Sequence, residues 1–143
     1  MHVVCPHCDA VNRVPEARLG EHPVCGACRA PLFGAKPVAL DAARFRHHLA
    51  KSELPLLVDF WASWCGPCRA MAPQFEAAAA TLEPRLRLAK VSTEEAPEIA
   101  RELGITGIPL LVLFQGGREL ARQAGAMPAG RIAAWAAAAL SRP

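Results

Sequence analysis

Apolar and polar positions follow two different periods along most of this chain, and one stretch follows neither. "DAARFRHHLA" (Asp41–Ala50) sets Ala43, Phe45 and Leu49 at helical spacing behind Asp41, a residue suited to an N-cap. "PLLVDFWA" (Pro55–Ala62) is a short continuous apolar run, the pattern of a strand buried on both faces. "CRAMAPQFEAAAATL" (Cys68–Leu82) reads as an Ala-rich helix with Pro73 expected to kink it. "RLRLAKVS" (Arg85–Ser92) alternates as a strand does. "APEIARELG" (Ala96–Gly104) reads as a short helix with Pro97 near its start and Gly104 closing it. "PLLVLFQGGRELARQAG" (Pro109–Gly125) reads as a hairpin turning at Gly116–Gly117. "PAGRIAAWAAAAL" (Pro128–Leu140) is a closing amphipathic helix. With a first strand around Lys36–Leu40, this order predicts an α/β fold: a central mixed sheet flanked by helices.

Residues 1 to 34 fit neither period. They are rich in Pro, Gly, His and Arg and hold few large apolar residues, so they are not expected to bury a core of their own. Segments this short need a metal or disulfides to hold a fold. "LFGAKPV" (Leu32–Val38) reads as a linker, which divides the chain into a head, 1–34, and a body, 35–143. His47 and His48 read as solvated helix positions.

Composition narrows the field. The chain has 143 residues, of which 52% are hydrophobic and 20% charged, as expected of a folded, soluble protein. Its formal charge of +3 is modest and mostly dispersed Arg, which argues against a nucleic-acid surface. Its longest apolar runs fall well short of a membrane span. "MHVVCPHCDA" lacks a basic region followed by an apolar core, so the reading is cytoplasmic. In a reducing compartment, six cysteines point to metal binding or catalysis rather than structural disulfides.

All six cysteines fall in Cys-x-x-Cys pairs: Cys5/Cys8, Cys25/Cys28 and Cys65/Cys68. The last, "CGPC", follows the predicted buried strand and opens the predicted helix. A helix N-terminus stabilises a thiolate through its free N–H groups and dipole. Cys65 is therefore the expected attacking thiol, and Cys68, one turn on and more buried, the resolving one. Asp59 stands inside the apolar strand, where a carboxylate needs a role or a partner. Burial is expected to raise its pKa, which fits it to take the proton of Cys68. Lys90, on the neighbouring predicted strand, is its expected partner. The alternative is a strand-end Asp59 facing water.

"VDFWA", "WCGPC" and "GITGIPLLVLFQGG" together resemble thioredoxin, from about Val38 to the C-terminus. The resemblance implies Cys65 as nucleophile, Cys68 as resolving thiol and Asp59 as the buried carboxylate. It makes Pro109 a cis-proline facing the dithiol. Trp61, Trp64, Gly66, Pro67, Ile108, Gly125 and Ala126 would line the surface that docks substrate, although Trp61 also reads as packing. Leu110 departs from the pattern, which usually has Thr there. The resemblance further implies disulfide-containing client proteins and re-reduction by a flavoprotein thioredoxin reductase using NADPH.

Cys5, Cys8, Cys25 and Cys28 form C-x2-C-x16-C-x2-C, which fits a tetrahedral zinc site of four thiolates. The Pro-His pair inside Cys5–Cys8 is also seen in strongly oxidising, DsbA-like enzymes. Only four residues precede Cys5, however, too few for a buried strand feeding a helix. His7 and His22 read as exposed neighbours rather than ligands. With this head the whole chain resembles the zinc-containing bacterial thioredoxins, which are cytoplasmic protein-disulfide reductases; a monomer is expected. Two other functions compete: a zinc-dependent redox sensor or chaperone-like binding module, and an oxidase or isomerase. The Gly-Pro pair at 66–67 opposes the last.

Overall fold

The computed structural model describes residues 1–141. Two sheets organise the chain. β1 (His2–Val4) and β2 (Val11–Arg13) make a two-stranded antiparallel sheet, followed by a 3-10 turn at Glu16–Arg18. β3 (Val38–Ala39), α1 (Ala42–Lys51), β4 (Leu56–Trp61), α2 (Gly66–Leu82), β5 (Arg87–Ser92), α3 (Pro97–Glu102), β6 (Leu110–Gln115), β7 (Arg118–Ala124) and α4 (Ala129–Leu140) follow. The larger sheet has the order β3-β5-β4-β6-β7. β5 is parallel to β3 and β4, while β6 is antiparallel to β4 and β7. The mixed sheet and its order of elements are those the periodicities predict.

Strand alternation divides the core between the two faces. Leu56, Val58 and Phe60 of β4 pack with Phe45 of α1 and Ile99 of α3. Leu57 turns to the other face with Met71, Phe75 and Leu82 of α2 and Ile132 and Ala136 of α4. By the same alternation Asp59 faces α2. Asp41 caps α1, its Oδ1 accepting from Arg44 N at 2.8 Å. Gly116 and Gly117 have φ of 61° and 78°, the left-handed conformation a tight hairpin turn requires. Pro73 lies inside α2 without interrupting it.

Three expectations about the N-terminal third are corrected. Val3, Cys5, Val14, Cys25 and Leu32 are buried together with Leu54 of the body, so the head has a small core that the body completes. Leu32 is thus a core residue rather than the start of a linker. The strand before Cys5 is three residues long, pairs with β2 and leads into a turn rather than a helix, as the sequence implies. His48 is 1% exposed, and His47 is half-buried, because the head covers that face of α1.

Candidate functional site: two cysteine constellations

β4 ends at Trp61, and four residues on, Cys65 caps α2. Its Sγ accepts the backbone N–H of Cys68 at 3.2 Å. The two cysteines are joined as a disulfide with their Cα atoms 5.3 Å apart. Both are buried, Cys65 at 4% and Cys68 at 2% exposure, so the expected contrast in burial between them is small. The Ile108–Pro109 peptide bond is cis, and Ile108 O lies 3.9 Å from Cys65 Sγ. Pro109 is buried, and its carbonyl accepts from Gly125 N at 3.0 Å. Trp61 and Ile108 pack on Ala62, Cys65 and Cys68. Two loops thus meet at the dithiol, and the turn after β7 is tied to the second of them through Gly125.

Of the residues expected at the docking surface, Trp64 is 69% exposed, and Gly66, Pro67, Gly125 and Ala126 are exposed. Ile108 is half-buried. Leu110 is buried in the core facing α1 and α3, which explains its tolerance of an apolar side chain.

Asp59 is fully buried, and among the described residues neither carboxylate oxygen has a hydrogen-bond partner. Burial pushes its pKa up to about 6, offset in part by the charge of Lys90. The two residues are direct neighbours across β4 and β5. The expected pairing is electrostatic only: the Lys90 ammonium sits 4.8 Å above the Trp61 ring rather than on the carboxylate.

The segment before Cys65 is tied down by residues that sequence reasoning missed. Glu94 Oε1 accepts from both N and Oγ of Ser63, each at 2.7 Å. Arg69 Nη1 donates to Ser63 O at 2.7 Å. All three residues are exposed, and no periodicity marks such a contact.

The other four cysteines converge at the head. Their sulfurs lie within 4.8 Å of one another, with Cys5–Cys28 at 3.7 Å and Cys8–Cys25 at 3.6 Å. A tetrahedron with Zn–S bonds of about 2.3 Å has edges of about 3.8 Å, so the set fits zinc. Each pair forms the same tight knuckle. Cys5 N donates to Ala10 O at 2.9 Å, and Cys25 N to Ala30 O at 2.8 Å. His7 N and Ala27 N point at Cys5 Sγ and Cys25 Sγ, at 3.3 and 3.4 Å. The Cys28 N–H and the Asn12 amide bring the Cys25 thiol down to about 6. Those donors favour the thiolate, the metal-binding form, at Cys25. Burial raises Cys5, whereas Cys8, despite a backbone bond at Ala10, is pushed up to about 12 by burial and the three neighbouring thiols. His7 and His22 are exposed and stand outside the cluster.

A dithiol at a strand-to-helix junction, faced by a cis-proline and preceded by a strand that carries a buried carboxylate, defines a protein-disulfide oxidoreductase. The thioredoxin family model matches residues 36–138, and a zinc-ribbon family described as Thioredoxin 2, N-terminal, matches residues 4–30. The chain belongs to the thioredoxin family. It is 41% identical over 135 residues to Thioredoxin C-3 of Corynebacterium nephridii, covering 94% of this chain and 92% of that one. It is 36% identical to the chloroplastic M-type thioredoxin of Chlamydomonas reinhardtii, covering 83% and 87%. The crystal structure of a chloroplastic thioredoxin z superposes with a TM-score of 0.67 at 27% identity, covering 75% of this chain and 96% of that one.

Proposed function

We propose that this thioredoxin-type oxidoreductase works as a reductase of protein disulfides in the cytoplasm. The observation that carries the reading is the Cys65–Cys68 pair itself, with Cys65 capping α2 beside the cis Ile108–Pro109 bond. In the reduced enzyme the Cys65 thiolate attacks one sulfur of a client disulfide. A mixed disulfide forms, and the client's other sulfur leaves as a thiolate. Asp59 then takes the Cys68 proton. The Cys68 thiolate attacks Cys65 Sγ, which closes the Cys65–Cys68 disulfide and releases the second client thiolate. Two electrons have passed to the client. Thioredoxin reductase returns them from NADPH.

Each residue around the dithiol has a part in this scheme. Lys90 tunes the charge on Asp59. Pro109 presents the client backbone to Cys65. Trp64, Gly66, Pro67, Ile108, Gly125 and Ala126 form the face on which the client rests. A pKa near 6 supports Asp59 as a base that is ionised at neutral pH and still accepts a proton readily. Among the described residues no helix is long and apolar enough to cross a membrane.

In the head, residues 1–34, Cys5, Cys8, Cys25 and Cys28 would hold one zinc ion. When bound, it supplies a cross-link that ties the two knuckles together. The head's contacts with the body support a structural role: Arg87 stacks on Phe33 at 4.7 Å, near the C-terminal end of α2. The dithiol opens the other end of that 17-residue helix, about 25 Å away. The test is NADPH-coupled insulin reduction with added thioredoxin reductase, beside zinc and free-thiol quantitation. One zinc and two reactive thiols per reduced chain are expected. A Cys65→Ser variant with full activity overturns the reductase reading.

A further inference from the structure

The two knuckles share a backbone but not their surroundings. The residue after the second cysteine, Asp9 in one and Arg29 in the other, has a φ of 65° and 69° respectively. Arg29 is exposed. Asp9, at the equivalent place, is gripped by α1 of the body. Arg44 donates to both of its carboxylate oxygens, through Nε to Oδ2 at 2.8 Å and Nη2 to Oδ1 at 2.9 Å. His48 Nε2 bonds Oδ1 at 2.9 Å, and His47 Nε2 donates to the Asp9 carbonyl at 2.7 Å. Arg44 Nη2 reaches Pro6 O as well, at 2.9 Å, between Cys5 and Cys8.

Helix α1 therefore holds both the residue inside the first Cys-x-x-Cys loop and the residue that closes it. The second knuckle is held from within the head. Asn12 Oδ1 accepts from Gly26 N at 2.8 Å, and Asn12 Nδ2 points at Cys25 Sγ at 3.5 Å.

We infer that Arg44, His47 and His48 are positioning residues for the metal site, so that zinc affinity belongs to head and body jointly. This rests on the zinc reading proposed above. Residues that orient metal ligands from outside typically change affinity by about 10- to 100-fold when removed. Arg44 acts on the ligand loop at three points, so its loss falls in that range. Linkage is reciprocal: the factor by which the latch tightens zinc is the factor by which zinc tightens the latch. Metal therefore also stabilises the body through α1.

The test uses the full, reduced chain and zinc alone, in competition with a chromophoric chelator. Four proteins are compared: wild type, Arg44→Ala, Asp9→Asn and Arg46→Ala. Arg46 lies on the same helix but pairs with Glu102 at 2.6 Å and makes no contact with the head, so it controls for damage to α1. Arg44→Ala should bind zinc about 10- to 100-fold more weakly with an unchanged circular dichroism spectrum. Asp9→Asn breaks the contact from the head's side and should follow it. Arg46→Ala should match wild type. The rise in melting temperature on adding zinc should shrink in Arg44→Ala. Affinities within twofold of wild type in both Arg44→Ala and Asp9→Asn overturn the inference, as does an equal loss in Arg46→Ala. A reduced wild type that binds no zinc overturns the zinc reading and the inference with it.

Discussion

Cys5-Pro6-His7-Cys8 and Cys65-Gly66-Pro67-Cys68 share a spacing and a proline, yet they sit in opposite settings. Around the second, the chain runs from a buried strand into a 17-residue helix, and the first cysteine becomes its cap. Around the first, a three-residue strand runs into a tight turn, and a second turn of identical build closes over it. One setting leaves two sulfurs with only each other. The other brings four within 4.8 Å, a soft donor set that a single metal ion can close over. What separates exchange chemistry from metal binding here is the number of sulfurs that the fold gathers, rather than the letters between them.

The sharpest way to break that comparison is to disable each pair in turn. Cys65→Ser should reduce insulin reduction to the uncatalysed background while leaving zinc content at wild type. Cys25→Ser should do the reverse, losing the metal and retaining the rate within about twofold, since no step passes through the head. A Cys25→Ser enzyme as inactive as Cys65→Ser would merge the two regions into one site.

Stability should divide in the same way. Phe75 is fully buried between the sheet and α4, and Phe75→Ala should cost about 3–5 kcal/mol in urea unfolding whether or not zinc is present. Leu32→Ala, in the smaller core, should cost about 2–5 kcal/mol with zinc bound. Its signature should also include faster loss of metal to a chelator, because that core is built around Cys5 and Cys25. Equal metal retention in both variants would contradict a head held together by its metal.

Asp59 offers a test of about 3 kcal/mol. Folding raises its pKa from 3.8 to about 6, so the folded state holds the proton more tightly than the unfolded chain. Stability from this group is therefore fully present below pH 4 and falls as pH rises through 6. Roughly two pH units at 1.36 kcal/mol each give the loss above pH 7. Asp59→Asn should remove that decline and exceed wild type in stability at pH 8. It should also slow turnover at the step where Cys68 attacks. A parallel fall with pH in wild type and variant would show that the carboxylate is not titrating in its buried site.

The body was readable because each element obeys one period and carries its own punctuation, such as Asp41 at a helix start or Gly116–Gly117 at a turn. The dithiol was readable for the same reason: its chemistry needs a strand end followed by a helix start, and both leave marks in sequence. The four-cysteine set was readable from spacing. The join between the regions was not. His48 looks like a polar position on an amphipathic helix, and only the tertiary placement of Asp9 makes it a buried one. Leu54 and Leu32 complete one small core, although one lies between two periodic elements and the other in the stretch that reads as a linker. Periodicity reports what a segment does with its own neighbours, and it is silent about a contact made across 39 residues.

The smallest effect should come from the rim of the dithiol. Ser63 is held by Glu94 on one side and Arg69 on the other, through three bonds of 2.7 Å. These are charge-assisted bonds, as at the Asp9–Arg44 join, but all three residues are exposed, and water replaces much of what each bond supplies. The Asp9 latch has the fully buried His48 as a partner, which water cannot replace without opening the interface. Glu94→Ala should therefore leave the fold and the Cys65–Cys68 chemistry intact. It should loosen the segment that presents Trp64, raising KM for a protein client about two- to fivefold, equivalent to roughly 0.5–1 kcal/mol, with kcat unchanged. Added salt should shrink the difference between variant and wild type. A fall in kcat instead would move Glu94 from the client-binding rim into the chemistry of the dithiol itself.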